Sequence, residues 1–266
     1  MLNASLGDRE FANFQQMIFR IAGISMSPAK KALVAGRLAK RLKHHGLDSY
    51  GEYFELLSRQ QDEMQVAVDL LTTNETYFFR EPKHFDFLRD KVLPRHAPGR
   101  PFRVWSAACS SGEEPYTLAM LLADQLGEAP WEVFGSDIST QVLDKARRGL
   151  YPMERARGIP SALLRAYCLK GVGSQDGQLL VDPDLRRRVR LAQINLNEPL
   201  PDVGEFDVIF LRNVMIYFQT ETKRQVVARL LDKLRPGGVF IVGHSESLNG
   251  LGQGLETLAP SIYRKP

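Results

Sequence analysis

The stretch "RVWSAACSSGEEPYTLAM" (Arg103–Met120) decides the fold class, because it reads as a buried strand, a tight loop and a helix. In an open parallel sheet such a loop lies at the carboxyl end of a strand, where ligands bind. A dinucleotide-binding loop would carry several glycines here, so that its backbone amides could approach a pyrophosphate. This loop has one glycine, Gly112, followed by Glu113 and Glu114. The two acids disfavour a phosphate and favour a cationic ligand, although acids also suit the first turn of any helix.

Apolar runs alternate with helical segments from about residue 100 onward, which predicts a parallel, doubly wound sheet buried on both faces. The strand-like runs are "FRVWSAA", "WEVFGSDI", "FDVIFLRN" and "GVFIVGHSE". The segment "KGVGSQDGQLLVDPDLRRRVRLAQINL" breaks the alternation and predicts a small β-rich insert at about residues 170–194. The C-terminal "ETLAPSIYRKP" predicts an antiparallel edge strand.

The N-terminal part of the chain has apolar residues at helical spacing instead of continuous apolar runs, which predicts a separate all-helical domain. "DREFANFQQMIFRIAG" carries apolar residues at helical spacing, and three further helical segments follow it. We therefore expect a helical domain at residues 1–75, a linker reaching to about residue 90, and an α/β domain at residues 76–266.

Composition excludes several classes of protein. Of the 266 residues, 44% are hydrophobic and 25% charged, as in ordinary globular proteins. We expect neither a membrane span, since no apolar run approaches about 18 residues, nor a secretory signal. Two cysteines support neither a disulfide framework nor a zinc cluster, so we expect no metal and a cytoplasmic location. The net charge of +4 does not indicate nucleic-acid binding, and without a heptad seam we expect a monomer.

Further polar residues fall where a ligand would bind. Asp137 ends the second strand-like run, where an acid can hold ribose hydroxyls, although it could equally cap the next helix. Arg212 and Asn213 end the run "FDVIFLRN", and Tyr217 follows them. The linker "LTTNETYFFREPKHFDFL" mixes polar and aromatic residues. This composition favours a segment that folds over the mouth of a site, although a capped helix with an aromatic anchor would also explain it. Acids without phosphate-binding glycines favour S-adenosylmethionine, which carries a sulfonium and an ammonium.

These motifs resemble those of the chemotaxis receptor methyltransferases, the CheR family. The motifs "TTNETYFFRE", "RVWSAACSSGEEPYTLAM", "GSDIS", "FDVIFLRNVMIYF" and "PGGVFIVGHSES" match the family pattern in order and spacing over almost the whole chain. The resemblance implies a Rossmann-like S-adenosylmethionine-dependent methyltransferase domain with a β-subdomain insert, preceded by an all-helical domain. It also implies methyl transfer to glutamate side chains of chemoreceptor cytoplasmic bundles for chemotaxis adaptation, giving glutamate γ-methyl esters and S-adenosylhomocysteine.

The resemblance assigns roles to individual residues. Glu114 would take the ammonium end of the cofactor, Asp137 the ribose, and Asn195 and Leu196 would flank the adenine. The full set of implied cofactor contacts is Asn74, Thr76, Arg80, Glu114, Asp137, Asn195, Leu196, Arg212 and Asn213.

Arg80 and Tyr217 match the family's proposed catalytic pair. A glutamate carboxylate has a reference pKa of about 4.3, so it is already ionised near neutral pH and needs no general base. The enzyme must align the carboxylate, the methyl carbon and the sulfur, and must exclude water. Arg80 would position the carboxylate, and Tyr217 would assist by hydrogen bonding.

A basic segment gives the helical domain a candidate role. "KKALVAGRLAKRLK" (residues 30–43) holds six basic residues and no acid. With the resemblance, Lys30, Lys31, Arg37, Lys40 and Arg41 would dock acidic receptor helices; without it, a solvated helix face explains them. In some family members the β-subdomain binds a receptor C-terminal pentapeptide as an added strand.

Two other functions stay open at this point. One is a methyltransferase that acts on RNA or on a small molecule, with which the basic segment is compatible. The other is a non-catalytic signalling adaptor that has kept the fold, although Arg80, Glu114 and Asp137 are all present.

Overall fold

The computed structural model describes residues 5–96, 99–251 and 254–266. Its helices are α1 (Asp8–Ala22), α2 (Lys31–His45), α3 (Tyr50–Arg59), α4 (Gln61–Leu71), α5 (Lys83–Phe87), α6 (Glu113–Leu126), α7 (Thr140–Arg148), α8 (Ser161–Tyr167), α9 (Pro183–Arg187) and α10 (Thr220–Leu231). Its strands are β1 (Phe102–Ser106), β2 (Trp131–Asp137), β3 (Leu150–Pro152), β4 (Cys168–Lys170), β5 (Gln178–Val181), β6 (Val189–Gln193), β7 (Phe206–Leu211), β8 (Leu234–Val242), β9 (Glu256–Ala259) and β10 (Ile262–Arg264). Within these ranges no helix is both long and apolar enough to cross a membrane.

A mostly parallel sheet with strand order β6-β2-β1-β7-β8-β10-β9 forms the centre of the α/β domain. The first five strands of this order run parallel; at one edge β10 pairs antiparallel with β8, and β9 pairs antiparallel with β10. All six residues of β7 are buried, which explains its continuous apolar sequence. The chain passes from β1 to β2 on one side and returns to β7 on the other, so the carboxyl ends of β1 and β7 border a ligand-binding crevice. The expected fold class is confirmed.

The loop between β1 and α6 depends on its single glycine. Gly112 has φ of 97°, in the left-handed region that favours glycine, and directly precedes α6. A Cβ atom at this position would lie 2.8 Å from both the Ala146 Cβ and the Tyr151 hydroxyl oxygen. Tyr151 Oη also donates to the Ser111 carbonyl oxygen at 2.7 Å. The loop therefore needs glycine for its turn and for close packing on α7. This requirement explains Gly112 without the close backbone approach to a phosphate that glycines serve in dinucleotide-binding loops.

The small second sheet differs from the expected insert at residues 170–194. It has the order β3-β5-β4, and it therefore begins with Leu150–Pro152, upstream of the expected insert. Val189–Gln193, which the sequence placed in the insert, instead pairs in parallel with β2 as an edge of the main sheet. A strand-like sequence pattern does not specify which neighbouring strand it will pair with. Here α9 lies between β5 and β6 and separates these two strands into different sheets.

The N-terminal domain packs α1–α4 around an apolar core, as their spacing predicts. Inside it Glu63, only 5% exposed, accepts hydrogen bonds from Arg41 Nε and Nη2 at 2.8 and 2.6 Å and from Tyr53 Oη at 2.7 Å. Burial alone would raise the pKa of Glu63, but the hydrogen bonds from Arg41, Tyr53 and His45 outweigh it and lower the pKa to about 2.

The helical domain is fastened to the α/β domain by polar contacts. Asp69 on α4 accepts from the Thr140 and Gln141 backbone amides at 3.0 and 3.2 Å, and so caps the N-terminus of α7 across the domain boundary. The Ser25 amide donates to the Tyr217 carbonyl oxygen at 2.8 Å. These contacts bring the end of α1 against the crevice between β1 and β7.

We expect Glu63→Gln to destabilise the protein by about 1–3 kcal/mol near neutral pH, because the buried end of Arg41 loses its charged partner. The loss should shrink in acid. The folded-state pKa of Glu63 is lowered from 4.5 to about 2, so its contribution is complete above the unfolded value and disappears as the pH falls through this range. Urea unfolding of both proteins at neutral pH and near pH 3 measures this, with the exposed Glu55→Gln as the control. A difference that is the same at both pH values would contradict the assignment.

Candidate active site

One pocket lies at the carboxyl ends of β1, β2 and β7, and the linker and the end of α1 cover it. It encloses about 930 Å³ when the space at its open mouth is counted. All ten residues that the sequence and the family resemblance singled out as cofactor contacts or catalytic residues line it: Asn74, Thr76, Arg80, Glu114, Asp137, Asn195, Leu196, Arg212, Asn213 and Tyr217. The structure thus brings together residues from the linker and from the segments at the carboxyl ends of β1, β2, β6 and β7.

The Arg212 side chain, 2% exposed, organises one wall of the pocket. Its Nη1 donates to Glu114 Oε2 at 2.8 Å, and its Nη2 donates to Glu81 Oε2 at 3.0 Å and to the Arg80 carbonyl oxygen. Ser106 Oγ donates to the other oxygen of Glu114 at 2.6 Å. A carboxylate offers about four lone-pair positions, so Glu114 keeps capacity for a further donor from the pocket.

Glu81 is a site residue that sequence reasoning missed. Besides Arg212, its carboxylate accepts from Asn213 Nδ2 and from the His244 amide, both at 3.1 Å. Burial would raise the pKa of Glu81, but the charge of Arg212 and these hydrogen bonds lower it to about 2. The residue stands in the quoted linker motif, and its backbone is left-handed, with φ of 59°, a conformation that the motif does not predict for a glutamate.

Asp137, 8% exposed, lies at the end of β2. Its Oδ2 accepts from the Ser110 amide and its Oδ1 from the Ser139 amide, both at 2.9 Å. Burial raises its pKa, while these backbone hydrogen bonds act in the opposite direction. Asp137 lines the pocket but does not cap the following helix, because the N-cap of α7 is Ser139, whose side chain accepts from the Val142 amide. Each oxygen retains a lone pair that a hydroxyl group of a ligand could use.

The linker crosses the pocket mouth and is held by its own backbone. Ser110 Oγ donates to the Asn74 carbonyl oxygen at 2.9 Å, and Arg80 Nη1 donates to the Glu75 carbonyl oxygen at 2.8 Å. The Arg80 guanidinium also lies over the Tyr77 ring, 5.6 Å from its centre. These contacts fix Arg80, half-buried, at the edge of the pocket.

Other predicted residues reach the pocket while their side chains serve the fold. Asn195 Nδ2 donates to the Ile21 carbonyl oxygen at 2.8 Å, and Asn195 Oδ1 accepts from the Asn197 amide at 3.0 Å. Its amide group therefore joins the loop after β6 to the helical domain. Glu113 lies outside the pocket: it is fully buried and pairs with Arg155 at 3.0 Å. Of the two adjacent acids, only Glu114 faces the pocket.

The five basic residues expected to dock a partner divide into two groups. Arg37 Nη1 donates to the Leu70 and Thr72 carbonyl oxygens at 3.0 and 2.9 Å, and Arg41 is the partner of Glu63. Their guanidinium groups are used inside the domain. Lys30 and Lys40 are exposed, and Lys31 pairs with the exposed Asp8 at 2.6 Å. The outward positive charge is therefore smaller than the sequence indicates.

The arrangement suits binding and alignment. Cys109 is buried, and burial raises the pKa of its thiol, which disfavours a thiolate nucleophile. Left-handed backbone occurs at Phe79, Glu81, Ser110 and Asn213, all of which lie around the pocket or the linker. Such strain gathers where a fold holds groups in fixed positions.

Comparison with known proteins shows which protein family the chain resembles along its length. The family described as "CheR methyltransferase, SAM binding domain" matches residues 74–263, and "CheR methyltransferase, all-alpha domain" matches residues 9–72. The chain is 42% identical over 260 residues to chemotaxis protein methyltransferase 2 of Pseudomonas aeruginosa, covering 96% of this chain and 92% of the relative. It is 40% identical to the chemotaxis protein methyltransferase of Salmonella typhimurium and 41% identical to that of Escherichia coli, each covering 97% of this chain and 91% of the relative. With a pocket where the family's S-adenosylmethionine-binding domain lies and likeness along nearly its whole length, the chain belongs to the CheR family of S-adenosylmethionine-dependent methyltransferases.

Proposed function

We propose that this protein transfers the methyl group of S-adenosylmethionine to glutamate side chains on the cytoplasmic helical bundles of chemoreceptors. One observation carries the proposal: the pocket at the switch point of the sheet presents Glu114 and Asp137 and has no glycine-rich phosphate cradle. Its chemistry therefore matches a cofactor with an ammonium, a sulfonium and a ribose. The relatives are named chemotaxis protein methyltransferases, and the resemblance to the family motifs adds the receptor glutamates as the proposed substrate.

We assign the cofactor a specific orientation in the pocket. Glu114 binds the ammonium through its remaining lone pairs, and Asp137 accepts from the ribose hydroxyls. Leu196, 8% exposed, and Ile138 provide apolar surface for the adenine. Arg212 acts mainly through Glu114, since its two terminal nitrogens already have partners. Asn74, Thr76 and Asn213 complete the contacts from the linker and the loop after β7.

The reaction then requires alignment more than proton transfer. The receptor glutamate is ionised near neutral pH, since its reference pKa is about 4.3, and attacks the methyl carbon as the sulfur leaves. Arg80 binds and orients that carboxylate, and Tyr217, which lines the same pocket, offers its hydroxyl as a donor. Well-oriented reactants can save roughly 7–11 kcal/mol of the barrier.

Two exposed regions outside the pocket would recognise the receptor. Lys30, Lys31 and Lys40 present positive charge to acidic receptor helices. In the small sheet β4 is an edge strand; Leu169 within it is 48% exposed, and Val172 just after it is 79% exposed. An edge with unpaired backbone groups and exposed apolar side chains suits a receptor C-terminal peptide added as a strand.

We expect Asp137→Asn to weaken binding of S-adenosylmethionine and S-adenosylhomocysteine about 10- to 100-fold, because a charged hydrogen-bond acceptor for the ribose is lost. Isothermal titration measures both affinities, and thermal unfolding checks that the variant is folded. Asp144→Asn, at an exposed position on α7, is the matched control. Unchanged affinity in Asp137→Asn would remove the ribose assignment.

Methyl transfer is tested with methyl-labelled S-adenosylmethionine and a purified receptor cytoplasmic fragment. We expect label on the fragment that is released as methanol in mild base, because esters hydrolyse there and methylamines do not. Arg80→Ala should lower both turnover and cofactor affinity.

Label that resists base, or that appears only on added RNA, would refute the glutamate assignment. Absence of label despite cofactor binding would favour the adaptor role.

A receptor fragment without its last five residues, assayed in parallel, tests the proposed peptide-binding edge of β4. Equal methylation rates for the two fragments would remove the C-terminal peptide from the proposal.

The docking surface predicts a charge effect on substrate affinity alone. Lys30→Glu combined with Lys40→Glu should raise KM for the receptor fragment about 10-fold at low salt while leaving cofactor affinity unchanged. The difference from the unmodified protein should narrow as salt increases, since exposed charges are screened. Lys91→Glu, exposed and remote from α2, controls for net charge. A KM change equal to that of the control would contradict docking through this face.

A further inference from the structure

Glu81, His84 and His244 meet beside the pocket in a cluster that the proposed reaction does not use. One ligand atom from each residue lies within 4.8 Å of the other two. Glu81 and His84 belong to the linker and the start of α5, whereas His244 follows β8. His84 is 1% exposed, and His244 is exposed at the surface. The cluster therefore joins two separate parts of the chain and can be reached from solvent through His244.

The hydrogen bonds around His84 determine which ring nitrogen carries the proton. Ser261 Oγ donates to the Pro260 carbonyl oxygen at 2.6 Å, so its single proton is used. His84 Nε2 lies 2.8 Å from the same Ser261 oxygen and must therefore be the donor in that contact. A neutral ring protonated at Nε2 has an unprotonated lone pair at Nδ1.

That lone pair faces a second acceptor. His84 Nδ1 is buried, has no hydrogen-bond partner among the described residues, and lies 3.5 Å from Glu81 Oε2. Two acceptors that face each other at this distance repel unless a cation lies between them. An unpartnered buried imidazole nitrogen directed at a carboxylate is the arrangement found in two ligands of one metal ion.

The spacing fits a small divalent ion. Nitrogen and oxygen ligands lie about 2.0–2.1 Å from zinc, so two of them in a tetrahedron are about 3.4 Å apart. The observed separation of 3.5 Å between His84 and Glu81 agrees with this edge. The exposed His244 ring packs edge-to-face against His84, with centroids 4.6 Å apart, and its ligand nitrogen lies within 4.8 Å of the other two ligand atoms.

The charges facing the cluster come from several elements. Arg212 donates to the same Glu81 oxygen at 3.0 Å, and the His244 amide donates to it at 3.1 Å. Glu114 binds the other end of Arg212, and the buried Glu246 accepts from the Asn213 amide at 2.8 Å. Glu114 and Glu246 are each one contact removed from Glu81, through Arg212 and Asn213, and they offset the guanidinium charge beside the cluster.

We propose that Glu81, His84 and His244 form a binding site for one divalent transition-metal ion of the zinc class, which fastens the linker to the loop after β8. Two imidazoles and one carboxylate are a usual ligand set for such ions, and a fourth position remains for water. Sequence analysis did not find this site, because Glu81 and His84 stand close together in the chain but His244 comes from a distant segment after β8. The proposal does not depend on the substrate of the enzyme.

The test uses tag-free full-length protein freed of metal by a chelator and then titrated with Zn²⁺ and, separately, with Co²⁺. We expect one Zn²⁺ per chain by isothermal titration, visible absorption typical of four-coordinate Co²⁺, and a higher thermal midpoint with Zn²⁺. His244→Ala should weaken Zn²⁺ binding at least about 10-fold, because it removes a ligand from the surface without disturbing the buried pair. His44→Ala, an exposed histidine on α2, should behave as the unmodified protein.

Two results would overturn the proposal. One is the absence of stoichiometric Zn²⁺ binding by the unmodified protein, which would mean that a proton fills the gap between His84 and Glu81. The other is equal Zn²⁺ affinity in His244→Ala and His44→Ala, which would place the ion elsewhere. Circular dichroism of both variants shows that they are folded, so a lost site is distinguished from a lost fold.

Discussion

The buried guanidinium of Arg212 is the constraint on which the site depends. Removing a charged group from water costs several kcal/mol unless partners replace the water. Arg212 obtains these partners from Glu114 at the start of α6 and from Glu81 in the linker. Loss of either carboxylate would leave a buried positive charge incompletely compensated, so the loop after β1, the end of β7 and the linker are fixed relative to one another. The pocket lies among these three segments.

The same constraint explains why the linker is ordered although it lies between two domains. Glu81 contacts Arg212 from a left-handed backbone conformation, and Phe79 close by adopts one as well. Conformations of this kind persist where the surrounding contacts require them. Asp69, which caps α7 from the helical domain, fixes the other end of the linker. Arg80 is therefore held at the pocket mouth from both sides, as a reaction that depends on alignment requires.

The basic helix α2 shows how charge in a sequence can mislead. Six basic residues without an acid suggest a uniformly cationic face, yet Arg37 and Arg41 direct their guanidinium groups inward. Arg41 satisfies the buried Glu63, and Arg37 binds carbonyl oxygens at the end of α4 and just beyond it. Long side chains can cross the boundary of a helix in this way, so helical spacing alone does not separate docking charges from structural ones.

The sequence by itself determined the fold class and the ligand-binding loop, and together with the family resemblance it predicted ten residues that line the pocket. These features depend on local patterns: buried strands are continuously apolar, and polar residues at strand ends meet at one edge of a parallel sheet. Only the tertiary structure decided which strands share a sheet, that Glu81 completes the ion pairs of Arg212, and that His84 meets His244. Those relations join residues distant in the chain through backbone turns and partner choice, which no local pattern encodes. The extent of the small sheet is the clearest case. The sequence of β6 predicts a strand that would fit either sheet, and in the structure β6 pairs with β2 at the edge of the main sheet.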